Sequence, residues 1–137
     1  MWDTAGQEQF RSLTRNFFQN SDGAIVVYDV NDRISFYKVK EWMESVLNNS
    51  GENVKMALVG NKIDLEREVT FSEGREFANF YNMMYFETSA KENIGIDDMI
   101  RKFTLEVMEN KTRIFREDFL KVEKKKDKKN KCYQCSI

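Results

Sequence analysis

Three short stretches hold residue types that can do chemistry. The first is Asp3-Thr4-Ala5-Gly6-Gln7-Glu8. It follows neither helical nor strand periodicity. Its Ala-Gly step reads as a tight turn where a ligand can approach the main chain. A carboxylate, a bare backbone amide and a carboxamide so close together suit a metal-bound phosphate and the water that attacks it. The second stretch is Asn61-Lys62-Ile63-Asp64 and the third is Thr88-Ser89-Ala90-Lys91. The side-chain types of the second suit a purine. A carboxylate such as Asp64 accepts two hydrogen bonds from N1–H and the 2-amino group of guanine. Adenine lacks that donor pair and would leave Asp64 unpaired. Asn61 can bond N7, and the aliphatic stem of Lys62 can lie against the ring. In the third stretch small residues let the Ala90 amide reach the guanine O6, while Lys91 can cover the other face of the base. Each stretch alone also fits a polar surface loop; the signal lies in their combination.

The intervening sequence supplies elements to position them. Gly23 to Val30 is apolar and β-branched, too short for a helix, and reads as a strand buried on both faces. Ser35 to Leu47 places Phe36, Val39, Trp42 or Met43, Val46 and Leu47 on one helical stripe. Val54 to Gly60 is a second buried strand, followed by a loop from Asn61 to Val69. Thr70 and Glu73 form a capping box for a helix from about Ser72 to Tyr81. Met83 to Phe86 is a third strand. A long helix then carries Ile96, Met99, Ile100, Phe103, Val107 and Met108. Threefold strand–helix alternation predicts right-handed βαβ units and a parallel sheet. The two loops with purine-suited groups then fall at the carboxyl ends of strands, where open α/β sheets bind ligands. Gln9 to Phe18 reads as a short irregular helix.

Composition narrows the classes. The chain has 137 residues, 41% of them hydrophobic and 33% charged, which suits one domain. No apolar run approaches the roughly eighteen residues of a membrane span, and the N-terminus lacks a secretory pattern. The absence of His excludes a His general base and a His-ligated metal. The net charge of −1 hides a division. Residues 1–110 hold 12 Lys/Arg against 19 Asp/Glu, and residues 111–137 hold 10 against 4. The basic end points to an anionic partner. From Lys121 the chain is Lys-rich and poor in apolar residues, so it is expected to lack structure on its own. It lacks the interleaved aromatics of a single-strand nucleic-acid binder.

In order and spacing, the three stretches together resemble the Ras-like small GTPases over about residues 2–110. Trp2, Gln9-Phe10-Arg11-Ser12-Leu13-Thr14, Phe17-Phe18 with Gly23, and Val27-Tyr28-Asp29-Val30 resemble the Rab branch, although Gln9 stands where Rabs most often have Arg. The resemblance implies a three-layer α/β fold with a parallel sheet, of the P-loop GTPase type. It implies GTP or GDP with Mg²⁺, hydrolysis of GTP, and a switch role in vesicle traffic. Asp3 would hold Mg²⁺ through water, the Gly6 amide would meet the γ-phosphate, and Gln7 would orient the hydrolytic water. Asn61, Lys62, Asp64, Ser89, Ala90 and Lys91 would hold guanine. Trp2 and Phe17 would belong to an aromatic effector surface; Phe10 and Phe18 suit core equally well.

The family also has about sixty residues ahead of Trp2, with the Gly-rich G-x-x-x-x-G-K-[ST] loop, the first strands, the first helix and the first switch. The 137 residues contain no such loop. The expectation is therefore a partial domain over 1–110, incomplete in its phosphate-holding half, with a basic variable tail over 111–137. Catalysis by these residues alone is left open. The alternatives are a non-catalytic membrane-tethered module and a truncated product. Cys132 and Cys135 close the tail. Terminal cysteine pairs in Rabs carry prenyl groups, and lipid beside a polybasic segment is the two-signal arrangement for stable anchoring. The spacing departs from the common prenylation patterns. An unmodified tail is one alternative; redox or zinc use of the pair is another, but zinc would need two more ligands than Cys and His provide here. Location would be the cytoplasmic face of intracellular membranes, with a cytosolic pool.

Overall fold

The computed structural model describes residues 18–19, 21–51 and 53–132, with the backbone alone at 119, 120 and 122–132. The irregular helix expected over Gln9–Phe18 lies outside this range except for its end, where Phe18 is buried. Six elements follow in order: β1 (Gly23–Asp29), α1 (Arg33–Asn49), β2 (Lys55–Asn61), α2 (Phe71–Phe80), β3 (Met84–Glu87) and α3 (Ile96–Cys132). The strands form a parallel sheet in the order β1-β2-β3, with Val26 opposite Leu58 and Leu58 opposite Tyr85. The alternation read from sequence thus becomes an α/β sheet with helices on both faces.

Strand alternation assigns the faces. Val26, Tyr28 and Leu58 point into a core shared with Val39 and Met43 of α1 and Ala78 of α2. Tyr28 leans on Phe36 at 4.9 Å between ring centroids, and Phe36 meets Phe77 edge-on at 5.6 Å. Ala57 and Val59 point the other way and are also buried; α3 packs across β2 there and reaches the Gly23 end of β1. A Cβ on Gly23 would stand 2.7 Å from a Val107 methyl, so this glycine lets α3 lie close to the strand.

α1 and α2 each begin on a local signal. The Asp32 carboxylate accepts from the Ile34 amide and starts α1. Thr70 and Glu73 form the expected reciprocal capping box of α2. The apolar stripes need four corrections. β1 is not buried on both faces: Val27 is 57% exposed, because among the described residues β1 pairs only with β2 and α3 covers only its start. Leu47, Ile100 and Met108 also face outward. A further departure is the tail. α3 continues unbroken to Cys132. Lys, Glu and Arg are good helix formers, and no Gly or Pro interrupts the run, so the helix propagates from its docked part. No helix among the described residues is long and apolar enough to cross a membrane.

Candidate functional site

The second and third stretches meet at the carboxyl ends of β2 and β3. β2 ends at Asn61, and Lys62 then takes a left-handed backbone, φ 66°. That conformation is uncommon for a residue with a side chain. The turn that follows is closed by the Leu65 amide donating to the Lys62 carbonyl at 2.9 Å. On the neighbouring strand end, the Thr88 amide donates to the Gly60 carbonyl at 2.9 Å, and the Ile63 amide to the Thr88 carbonyl at 3.2 Å. Gly95, at φ +74°, turns the chain so that Ile94 pairs with Ser89. A Cβ there would lie 2.7 Å from the Glu87 carbonyl oxygen.

Side chains complete the join. Asn61 Oδ1 accepts from the Ala90 amide at 3.1 Å and from Thr88 Oγ1 at 3.2 Å. Ser89 Oγ donates to Asp64 Oδ1 at 2.5 Å and accepts from the Glu92 amide at 3.1 Å. Thr88 and Ser89 are fully buried, which is tolerable only because their hydroxyls are bonded. Lys91 Nζ lies 3.8 Å from Asp64 Oδ2, and Lys62 Nζ lies 2.5 Å from Asp29 Oδ2.

These contacts set the protonation states. The Ser89 hydroxyl, with a backbone donor and the Lys91 and Lys62 charges, holds the Asp64 carboxyl below its usual range. The hydrogen bond from Lys62 to Asp29 raises the ammonium above its usual value. Asp64 is therefore an acceptor-only carboxylate at neutral pH. Asn61 spends its carbonyl oxygen on Ala90 and Thr88, which leaves Nδ2 as its side-chain donor.

All six residues expected to hold guanine thus stand in one constellation. Two depart from the expected detail. The Ala90 amide is engaged by Asn61, so reaching a base oxygen requires sharing that bond. The Lys62 ammonium is directed to Asp29, a residue the sequence reading did not single out. Its only signal was its place at the end of β1, opposite Asn61 in the register. Trp2, Asp3, Gly6, Gln7, Phe17 and Cys135 lie outside the described residues, as does the side chain of Cys132. Among the described residues no three acidic or thiol side chains converge to hold a metal. Asp3, the Mg²⁺-facing residue of the resemblance, is not among them.

The Ras family model matches residues 1–109. The chain is similar to the Ras-related protein RabC of Dictyostelium discoideum, 46% identical over 98 residues, covering 70% of this chain and 50% of RabC. It is 42% identical over 110 residues to the Ras-related protein Rab-2B of the same organism, covering 79% of this chain and 54% of that one. With mouse Ras-related protein Rab-21 the identity is 44% over 101 residues, covering 72% of this chain and 46% of Rab-21. The chain spans about half the length of these curated relatives. With the parallel sheet, the family match and these relatives in agreement, the chain belongs to the Ras family of small GTPases, in its Rab branch.

Proposed function

We propose that this chain carries the guanine-reading half of a Rab-type nucleotide switch acting in membrane traffic. The observation that supports it is the bonded junction of the Asn61–Asp64 and Thr88–Lys91 loops, which aligns one carboxylate and one carboxamide at adjacent strand ends. Asp64 selects guanine by accepting from N1–H and the 2-amino group, and Asn61 Nδ2 donates to N7. The stems of Lys62 and Lys91 cover the ring, and the Ala90 amide shares itself with O6. In the whole switch Gln7 would orient the water that attacks the γ-phosphate, the Gly6 amide would meet that phosphate, and Asp3 would hold Mg²⁺ through water, a metal that neutralises phosphate charge when bound. Trp2 and Phe17 would serve effector proteins.

As a 137-residue polypeptide the chain holds the base far better than the phosphates. Loss of about four charge-assisted phosphate bonds, at roughly 1.5 kcal/mol each, removes about 6 kcal/mol or over four decades of affinity. Titrating a fluorescent GDP analogue into this polypeptide should give weak binding that still prefers guanine to adenine nucleotides. Asp64→Ala should abolish that preference. Sub-micromolar, Mg²⁺-dependent binding would contradict the weak-binding part, and an unaltered preference in Asp64→Ala would contradict the guanine part.

A further inference from the structure

The recognition loops are joined on one side by Ser89 and Asp64. A second tie lies behind them. Arg67, in the loop that carries Asp64, meets Glu87 two-pronged, with Nη1 at 2.7 Å from Oε1 and Nη2 at 2.6 Å from Oε2. Glu87 is the last residue of β3, two positions before Ser89. The two ties close a ring: Asp64, Leu65, Glu66 and Arg67 on one side, Glu87, Thr88 and Ser89 on the other. A two-pronged guanidinium–carboxylate pair resists rotation as well as separation.

The carboxylate is braced from further away. Tyr85 donates to Glu87 Oε1 at 2.9 Å, and its hydroxyl lies 2.9 Å from that of Tyr28 in β1. Tyr28 is 2% exposed and the Glu87 side chain 13%, so this chain of bonds runs through partly dehydrated surroundings where such bonds are strengthened. Burial pushes the Glu87 carboxyl up, but the donors from Arg67 and Tyr85 outweigh it and hold the carboxyl below its usual range. Burial is also the main reason that both tyrosine hydroxyls stay protonated well above their ordinary range. Elsewhere, at 68–69, the loop is held through the Glu68 and Val69 amides on the Val30 carbonyl, 2.9 and 3.0 Å. Its Glu66 carbonyl accepts from Asn31 Nδ2 at 2.6 Å. Between Asp64 and those bonds, Arg67 is the side chain that ties the loop to the strand leading into Ser89 and Ala90.

We propose that the Arg67–Glu87 pair, braced by Tyr85 and Tyr28, is a positioning device that sets the spacing of the two recognition loops and thereby the selectivity for the base. The pair acts through Asp64 and Ala90; neither Arg67 nor Glu87 touches the ligand. The inference rests on the guanine reading for its functional meaning, and on the geometry alone for the positioning.

The test uses the full 137-residue chain, unaltered and as Arg67→Gln, Tyr85→Phe and Asp64→Ala. Site-resolved amide exchange is measured without ligand. Guanosine and inosine, which differ only in the 2-amino group, are then titrated by NMR. In Arg67→Gln, exchange at the Ile63 and Ala90 amides should rise about tenfold while Leu58 in the sheet stays unchanged. The preference for guanosine over inosine should fall towards that of Asp64→Ala. Tyr85→Phe, which keeps the ring and loses one bond, should move both readouts in the same direction by less, and it carries the test if Arg67→Gln does not fold. Equal acceleration at Ile63, Ala90 and Leu58 would mean a general stabilising role and would overturn the proposal, as would unchanged exchange at Ala90. If the unaltered chain shows no preference for guanosine, the guanine reading fails, and the exchange arm still decides whether the pair holds the loops together.

Discussion

Gly74 sits inside α2, where glycine costs about 1 kcal/mol relative to alanine. Its place is explained by the two tyrosines beneath it. A Cβ there would stand 2.5 Å from the Tyr28 hydroxyl and collide with that of Tyr85. Overpacking of this kind costs about 1–3 kcal/mol, more than the helix gains from alanine. Gly74→Ala should therefore lower the melting temperature, and adding Tyr85→Phe should recover part of the loss; a Gly74→Ala chain that melts higher than its parent would refute this account. One residue earlier, Glu73 accepts from Arg33 and from the Thr70 amide and hydroxyl, with Arg33 the main cause of a carboxyl lowered to about 2 from 4.5. A depressed carboxyl stabilises the fold above its unfolded value, and that stability is lost as pH falls through the folded one. The melting difference between the parent chain and Glu73→Gln should thus be full above about pH 5 and shrink between pH 4.5 and 2. A difference that grows on acidification would have the wrong sign for this pair.

Among the described strands β1 and β3 are both edges, and β1 also leaves a large apolar side chain open. On the α3 side Val27 is open, and among the described residues only β2 satisfies the strand's backbone. Such an edge offers unpaired amides and carbonyls beside apolar surface, which invites association. The isolated polypeptide should self-associate in sedimentation velocity, and Val27→Lys, which places a charge on the edge, should reduce that association. A monodisperse parent with a sharp melt above about 55 °C, ordinary for an intact domain, would contradict this. α3 differs in kind. Its first half is fastened by Met99 and Phe103, by Lys55 with Glu106 at 2.8 Å, by Asn110 on the Asn53 carbonyl at 2.9 Å and by Lys111 on Asp22 at 2.7 Å. Past Ile114, helix propensity rather than packing carries the backbone on to Cys132.

Across the whole molecule, charge is segregated along the chain. Seven lysines between Lys121 and Lys131 face only Glu123 and Asp127. Near an anionic leaflet each is worth about 1 kcal/mol, within a screening length of ~8 Å. That attraction is reversible and salt-sensitive. We propose a prenyl group on Cys132, Cys135 or both, adding roughly 0.8 kcal/mol per buried CH₂ and making the anchor persistent. High salt should strip Cys132→Ser/Cys135→Ser from membranes while the parent stays bound. Intact mass from cells with active prenyltransferases is the direct check: no added lipid on either cysteine would remove the anchor and leave a basic helix.

The sequence by itself determined the order of elements, because their periods and caps are local: β-branched runs for strands, apolar stripes for helices, a Thr70–Glu73 box; the Asp32 cap of α1 came only with the structure. It also singled out two loops by the donors and acceptors that Asn61, Asp64 and Ser89 declare by type, and their place after strands follows from chain order. Periodicity states which face of an element is apolar and says nothing of how far its neighbour extends. Hence Val27, Leu47, Ile100 and Met108 were expected to be covered and are not. Bonds between side chains distant in sequence depend on register and backbone direction. Only the tertiary structure decided that Lys62 turns to Asp29, that Asn61 engages the Ala90 amide, and that Arg67 grips Glu87. Each required two strand ends to stop at the same height, a property of the sheet and not of either strand.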